Sequence, residues 1–206
     1  MDNIERRQKG LAYISDENVM AQQKVTRVKN QEFNTMDRSD FEALSKKIYD
    51  ILGKAGSNAF VNPPFYCDYG FNIEVGDNFY ANYNLTVLDV AKVTIGNNCF
   101  IAPNVNIFTA GHPIHPLGRN KLYEYGRPVT IGDNVWIGGN TTICPNVHIG
   151  SNVVIGAGSV VTKDIPDWCV AAGNPSRVLR AITDEDKEYL FGDEKFDDEV
   201  LRKILE

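Results

Sequence analysis

From residue 131 onward an isoleucine or valine recurs at every sixth position: Ile131, Ile137, Ile143, Ile149, Ile155 and Val161. An amphipathic helix repeats its apolar positions every three or four residues and a half-buried strand every two, so neither produces this period. Ile95, Ile101 and Ile107 form an earlier block with the same spacing, in phase with the later one. A short internal repeat of this kind marks a solenoid, in which each unit buries its apolar side only against its neighbours.

Six-residue units predict a parallel β-helix. Each unit supplies one flat side of a triangular coil, three units close a turn, and the isoleucines stack inside, each contributing about 1.5–3 kcal/mol relative to exposure. Four residues after each isoleucine stands Cys99, Val105, Val135, Thr141, Val147, Val153 or Ser159. These small or β-branched side chains suit a second inward position beside a tight corner. The Gly, Asn and Asp residues between them tolerate the left-handed backbone angles that corners need.

Outside the repeat the pattern changes. Residues 1–58 read as a helical cap that blocks pairing at the open end of the coil. Within it, Ser39 and Glu42 have capping-box spacing, Phe41, Leu44, Ile48 and Leu52 fall on one helical face, and Gly53 stops the helix. One or two further short helices are expected upstream. The coil is expected over 59–182, and a helical segment over 183–206, where Thr183 and Asp186 have capping-box spacing ahead of the apolar Val200, Leu201, Ile204 and Leu205.

Composition narrows the function classes. The 206 residues are 43% hydrophobic and 23% charged, which fits one main domain with small additions. A net charge of −6 without a long basic run argues against nucleic acid or an anionic membrane as the main partner. With no apolar signal core and no run of about 18 apolar residues, a cytoplasmic location is expected. Cys67, Cys99, Cys144 and Cys169 lack CxxC spacing and read as buried free thiols.

The count of sixes stops between Phe108 and Pro128, a stretch that overlaps "NIFTAGHPIHPLGRN" (106–120) and holds two of the three histidines. Loops longer than about 12–15 residues in compact domains are more often functional than idle. Gly111 and Pro113 flank His112 and fix a turn that aims its imidazole, the side chain best suited to take a proton near neutral pH. A surface histidine in a stiff turn explains the same residues, so spacing alone leaves both readings open. His115 and His148 read as solvated or locally hydrogen-bonded side chains.

From Phe65 to Arg180 the chain resembles the maltose and galactoside O-acetyltransferases of the hexapeptide-repeat acyltransferases. The resemblance rests on "FYCDYGFNI", "FYANYNLTVLDV", "TAGHPIHP", "RPVTIGDNVWIGG", "IGAGSVVTKDIP" and "AAGNPSRV"; "CDYG" and "VLDV" are closer to the maltose type. It implies a left-handed parallel β-helix and direct acetyl transfer from acetyl-CoA to a sugar hydroxyl, with His112 as general base, no acyl-enzyme and no metal. Asn82, Asp68 and Asp89 match acceptor positions. Ser15 and Asp16 are two placements for a further acceptor aspartate, and Val90 replaces a galactoside-type aspartate. Trp136, Gly139, Ala157, Thr162 and Lys163 match the pantetheine and adenine track, and Arg177 and Arg180 the basic residues near the nucleotide phosphates. The resemblance also implies a homotrimer with sites between subunits, one wall of each formed by the 108–128 excursion. The rival readings are acetyl transfer to an antibiotic or lipooligosaccharide hydroxyl, and a non-catalytic scaffold. A three-histidine zinc site on such a coil does not fit the spacing of His112, His115 and His148.

Overall fold

The computed structural model describes residues 1–206. Its body is a left-handed parallel β-helix of about six turns. Strands Lys54–Ala55, Ile73–Val75, Val93–Ile95, Val129–Ile131 and His148–Ile149 stack into a first face. Phe60–Val61, Tyr80–Ala81, Phe100–Ile101, Trp136–Ile137, Val153–Ile155 and Cys169–Ala172 make a second, closed by antiparallel Arg177–Ala181. Phe65–Cys67, Leu85–Leu88, Asn106–Phe108, Thr142–Ile143 and Val160–Val161 make the third.

The inward columns follow the sequence pattern. Ile95, Ile131 and Ile149 pair in register on the first face, Ile101, Ile137 and Ile155 on the second, and Val87, Ile107, Ile143 and Val161 on the third. All are buried in one core cluster, and the second inward positions Cys99, Val105, Val135, Thr141, Val147, Val153 and Ser159 are buried as well. The two polar members of that set are satisfied internally; Thr141 Oγ1, for example, donates to the Gly138 carbonyl at 2.7 Å. The period of six does not hold through the first turns, where Ala55, Val75 and Ile95 pair directly although twenty residues separate each from the next. Pairing with the neighbouring turn, rather than the count along the chain, sets the register.

A ladder of asparagines makes one corner. Asn58, Asn78, Asn98, Asn134 and Asn152 all have left-handed backbones, and each side-chain amide donates to the next at 2.9–3.1 Å. Asparagine adopts φ > 0 more readily than other side chains, and here it also repeats its own hydrogen bond from turn to turn. Gly96 just before this corner is needed for a different reason: a Cβ there would lie 2.7 Å from the Gly132 carbonyl carbon of the next turn.

At the open end lie helices α1 (Asn3–Gln8), α2 (Glu17–Asn34) and α3 (Phe41–Ile51). The cap of α3 is Asp40, whose carboxylate accepts from the Ala43 amide, rather than Ser39; Phe41 is exposed and stacks edge-on against Phe60, while Leu44, Ile48 and Ile51 carry the buried face. The long α2 runs antiparallel to Phe65–Cys67 and takes the place of a missing strand. Thr26 Oγ1, Asn30 Nδ2 and Asn34 Nδ2 donate to the carbonyls of Tyr69, Cys67 and Phe65, at 2.8, 3.0 and 2.9 Å. Four helical residues advance about 6.0 Å and two strand residues about 6.6 Å, so one side of a helix stays level with alternate carbonyls of a strand edge. At the other end, Thr183 opens a short 3-10 turn over Asp184–Glu188, and a hairpin (Tyr189–Phe191 with Glu194–Lys195) precedes the C-terminal helix, which covers Asp198–Leu205.

No helix is long and apolar enough to cross a membrane. The four cysteines are free; Cys67, Cys99 and Cys169 are buried and Cys144 is half-buried.

Candidate active site

The excursion leaves the coil at the corner between the third and first faces. It is a hairpin, Ala110–Gly111 against Tyr123–Gly126, with Tyr13–Ile14 added as an outer strand. A Cβ on Gly111 would lie 2.5 Å from the Tyr125 ring, so glycine is what lets that ring close over the turn. His112 follows directly, exposed, with Nδ1 3.2 Å from the Tyr123 carbonyl. A carbonyl can only accept, so this bond places the proton on Nδ1 and leaves Nε2 with its lone pair.

The other histidines have other work. The Nδ1 of His115 accepts from the Leu117 amide and caps the short helix α4 (Pro116–Arg119), and His148 is exposed on the first face. No group of three or more His, Cys, Asp or Glu side chains stands in metal-binding geometry.

The acceptor candidates divide between two corners. Asp68 and Asp89 stand one turn apart at the same corner as His112. Asp89 is fully buried; its Oδ1 accepts from the Asp68 and Tyr69 amides, both at 2.9 Å, and burial raises its carboxyl to about 6. It therefore supports the backbone under Asp68, while its Oδ2 has no partner within the chain. Burial also raises the Asp68 carboxyl, against the opposing pull of the Arg27 guanidinium. Asp16 is committed to capping α2, accepting from Val19 and Asn3, and Ser15 Oγ donates to Glu124 of the hairpin.

Glu124 of the hairpin, whose charge adds to the rise of the Asp68 carboxyl, is a further candidate site residue that no sequence motif marks. Its pairing opposite Tyr13 was hidden, because strand 13–14 is too short to carry a period. Asn82 lies at the other edge of the third face, between Tyr80–Ala81 and Leu85–Leu88; its Oδ1 accepts from Tyr83 and its NH₂ remains available.

The donor candidates divide in the same way. Gly139 and Ala157 stack at the Asn82 corner, where the Gly158 amide donates to the Gly139 carbonyl at 2.8 Å, and Trp136 is exposed on the adjoining second face. Thr162 and Lys163 are exposed at the His112 corner, two turns further along. Arg177 and Arg180 lie on the closing antiparallel strand, and both are exposed. Arg180 does not stand free: its guanidinium grips the Asp186 carboxylate through bonds of 2.9 and 2.7 Å.

Residues 128–163 match the model of the bacterial transferase hexapeptide family (six repeats). The chain is 52% identical to the galactoside O-acetyltransferase of Escherichia coli, across 82% of this chain and 83% of that one. The chain belongs to the hexapeptide-repeat acetyltransferase family. Its fold superposes on a galactoside acetyltransferase in complex with coenzyme A with a TM-score of 0.92, at 46% identity over 96% of this chain and 99% of the other. On a maltose O-acetyltransferase from Clostridium difficile the TM-score is 0.87, at 46% identity over 89% and 99%.

Proposed function

We propose that this family member is an acetyl-CoA-dependent sugar O-acetyltransferase that works as a homotrimer in the cytoplasm, with His112 as general base. The observation that carries the reading is the Nδ1 bond of His112 to the Tyr123 carbonyl, which commits the ring to the tautomer a base requires. The sugar hydroxyl gives its proton to Nε2 as its oxygen attacks the thioester carbonyl. The new C–O bond forms, the C–S bond breaks, and the departing thiolate takes the proton from the imidazolium. A positioned base contributes about 10²–10⁴-fold.

No covalent acetyl-enzyme is needed, and no cysteine is suited to form one. Three thiols are buried, and burial raises the fourth, Cys144, above its ordinary range. Asp68 and Asn82 meet the acceptor, with Glu124 beside Asp68. For the donor, Gly139 and Ala157 leave room for a narrow thiol arm at a coil corner, and Lys163 and Arg177 complement its phosphates.

Two features support assembly. The third face, about 15 Å wide, separates the His112 and Asn82 corners, so one chain cannot bring both to a single sugar. The outward column of the second face, Phe60, Tyr80, Phe100 and Trp136, is an aromatic ladder with ring spacings of 6.4 and 6.5 Å between its first three members. The corresponding column of the first face, Lys54, Glu74, Thr94, Thr130 and His148, is polar. A second protomer covering the aromatic ladder sets the His112 edge of one chain against the Asn82 edge of the next.

The test is release of free thiol from acetyl-CoA across glucose, maltose, galactosides and their thio-analogues, with wild type and His112→Ala. Sugar-dependent release that falls about 10²-fold in the variant supports the assignment. Release that no sugar stimulates, or a fully active variant, contradicts it.

A further inference from the structure

Beside Asp68 a second concavity opens. It measures about 450 Å³, within the range of small-molecule sites, and runs between α2 and the outward side of strand Phe65–Cys67. Its floor is already spent on the fold: Asn30 and Asn34 bond the strand carbonyls, and Asn34 Oδ1 also accepts from the Phe65 amide. Its rim is free of such duties. Arg27 and Gln31 project from successive turns of α2, both exposed, and Tyr66 stands opposite with half of its surface open.

An open phenol ring facing a guanidinium and an amide across a shallow trench is chemically particular. A pyranose has one apolar C–H face, which packs on an aromatic ring, and an equatorial belt of hydroxyls, which need planar groups able to donate and accept. Few apolar side chains line the trench, so a purely hydrophobic ligand finds little to bury. Its position matters equally. Cys67 forms part of its wall and Asp68 is the next residue, so the trench begins where the acceptor candidates end. Arg27 lines the trench and also acts on the Asp68 carboxylate, which ties the two spaces together.

We propose that the trench between α2 and Tyr66 is a second carbohydrate subsite, which holds the non-reacting ring of a disaccharide or longer glycan while the reacting ring sits at Asp68 and His112. The proposal rests on the sugar acetyltransferase reading for its catalytic readout, but the binding it claims can be measured without catalysis.

Wild type, Tyr66→Ala and Gln31→Ala are compared with glucose and with maltose, by acetyl transfer and by calorimetric titration of each sugar without acetyl-CoA. Wild type favours maltose over glucose in kcat/KM by about 5-fold or more, and each variant loses most of that preference through KM for maltose, with its glucose kinetics within about 2-fold of wild type. Maltose binding weakens in the same variants. Equal losses for both sugars, an unchanged preference, or dissociation of the trimer on Tyr66→Ala overturns the subsite, the last by assigning Tyr66 to a subunit contact. If no sugar is acetylated, the enzymatic reading fails on its own. The subsite then stands or falls on whether maltose binds wild type more tightly than Tyr66→Ala.

Discussion

Replacing Asn30 by alanine removes one rung from the helix that stands in for a strand. The side chain is 7% exposed; its Nδ2 donates to the Cys67 carbonyl at 3.0 Å and its Oδ1 lies 3.6 Å from the Cys67 thiol. Asn30 lies nearly buried on the trench floor, where water replaces the lost donor only in part, and an underpaired carbonyl there costs about 1–3 kcal/mol. Alanine is the better helix former by about 0.5–0.7 kcal/mol, which offsets part of this. The net expectation is a loss of about 1–2 kcal/mol, a fall of about 2–8 °C in melting temperature for a chain of this size. Melts at matched protein concentration read the loss, because the proposed assembly would make the midpoint concentration-dependent. Amide exchange should also quicken along residues 65–69. Gln31→Ala on the exposed side of the same helix is the control and stays within about 0.5 kcal/mol of wild type. An Asn30→Ala protein that melts with wild type and protects residues 65–69 equally well would show that α2 does not hold this edge through its amides.

Trp168 occupies the corner position that follows Asn152 in the asparagine ladder, with φ of 56° and more than half of its surface exposed. A left-handed backbone costs an ordinary side chain about 1–2 kcal/mol, so Trp168→Asn should raise the melting temperature by about 2–4 °C, and an unchanged or lowered value would refute that account. The raised carboxyl of Asp89 means that the folded state binds its proton more readily than the unfolded chain. Its contribution to stability therefore declines as pH rises from about 4 to 6, by about 2–3 kcal/mol in all. Denaturation of wild type and Asp89→Asn across that interval should show wild type losing ground to the variant, and parallel curves would contradict the sign. Lys163→Ala and Arg177→Ala should each raise the KM for acetyl-CoA by about 10-fold with little change in the KM for sugar. The reverse pattern would misplace the donor track.

The coil was legible because its constraint is local. Ile131, Ile137 and Ile143 each face inward for the same reason, and a single stretch of chain displays the rule. The turns before Ile95 obey the same stacking with longer corners, which broke the count without breaking the register. The substitute strand was not legible: Thr26, Asn30 and Asn34 hold α2 through hydrogen bonds, so the helix lacks the strong apolar stripe that marked α3. The 108–128 interruption was visible as an absence of pattern, but its hairpin and its partner strand at Tyr13–Ile14 depend on pairing across a hundred residues. Of the site, His112 stood out by its turn and by the family resemblance. Glu124 carries no local signature, and although Arg180 stood out by its motif and Asp186 by its capping-box spacing, the grip between them emerged only from the fold.

The division of His112 and Asn82 between two edges leads to a numerical expectation. His112→Ala and Asn82→Ala protomers carrying different tags are co-expressed, and the mixed trimers are purified and assayed for acetyl transfer to sugar. If the protein is a homotrimer in which each site takes its histidine from one protomer and its asparagine from the next, every mixed trimer has one intact site of its three. The mixed trimers should then recover about a third of wild-type activity, although each variant alone has lost nearly all of it. Activity that stays at the level of the separate variants would contradict a site shared between chains.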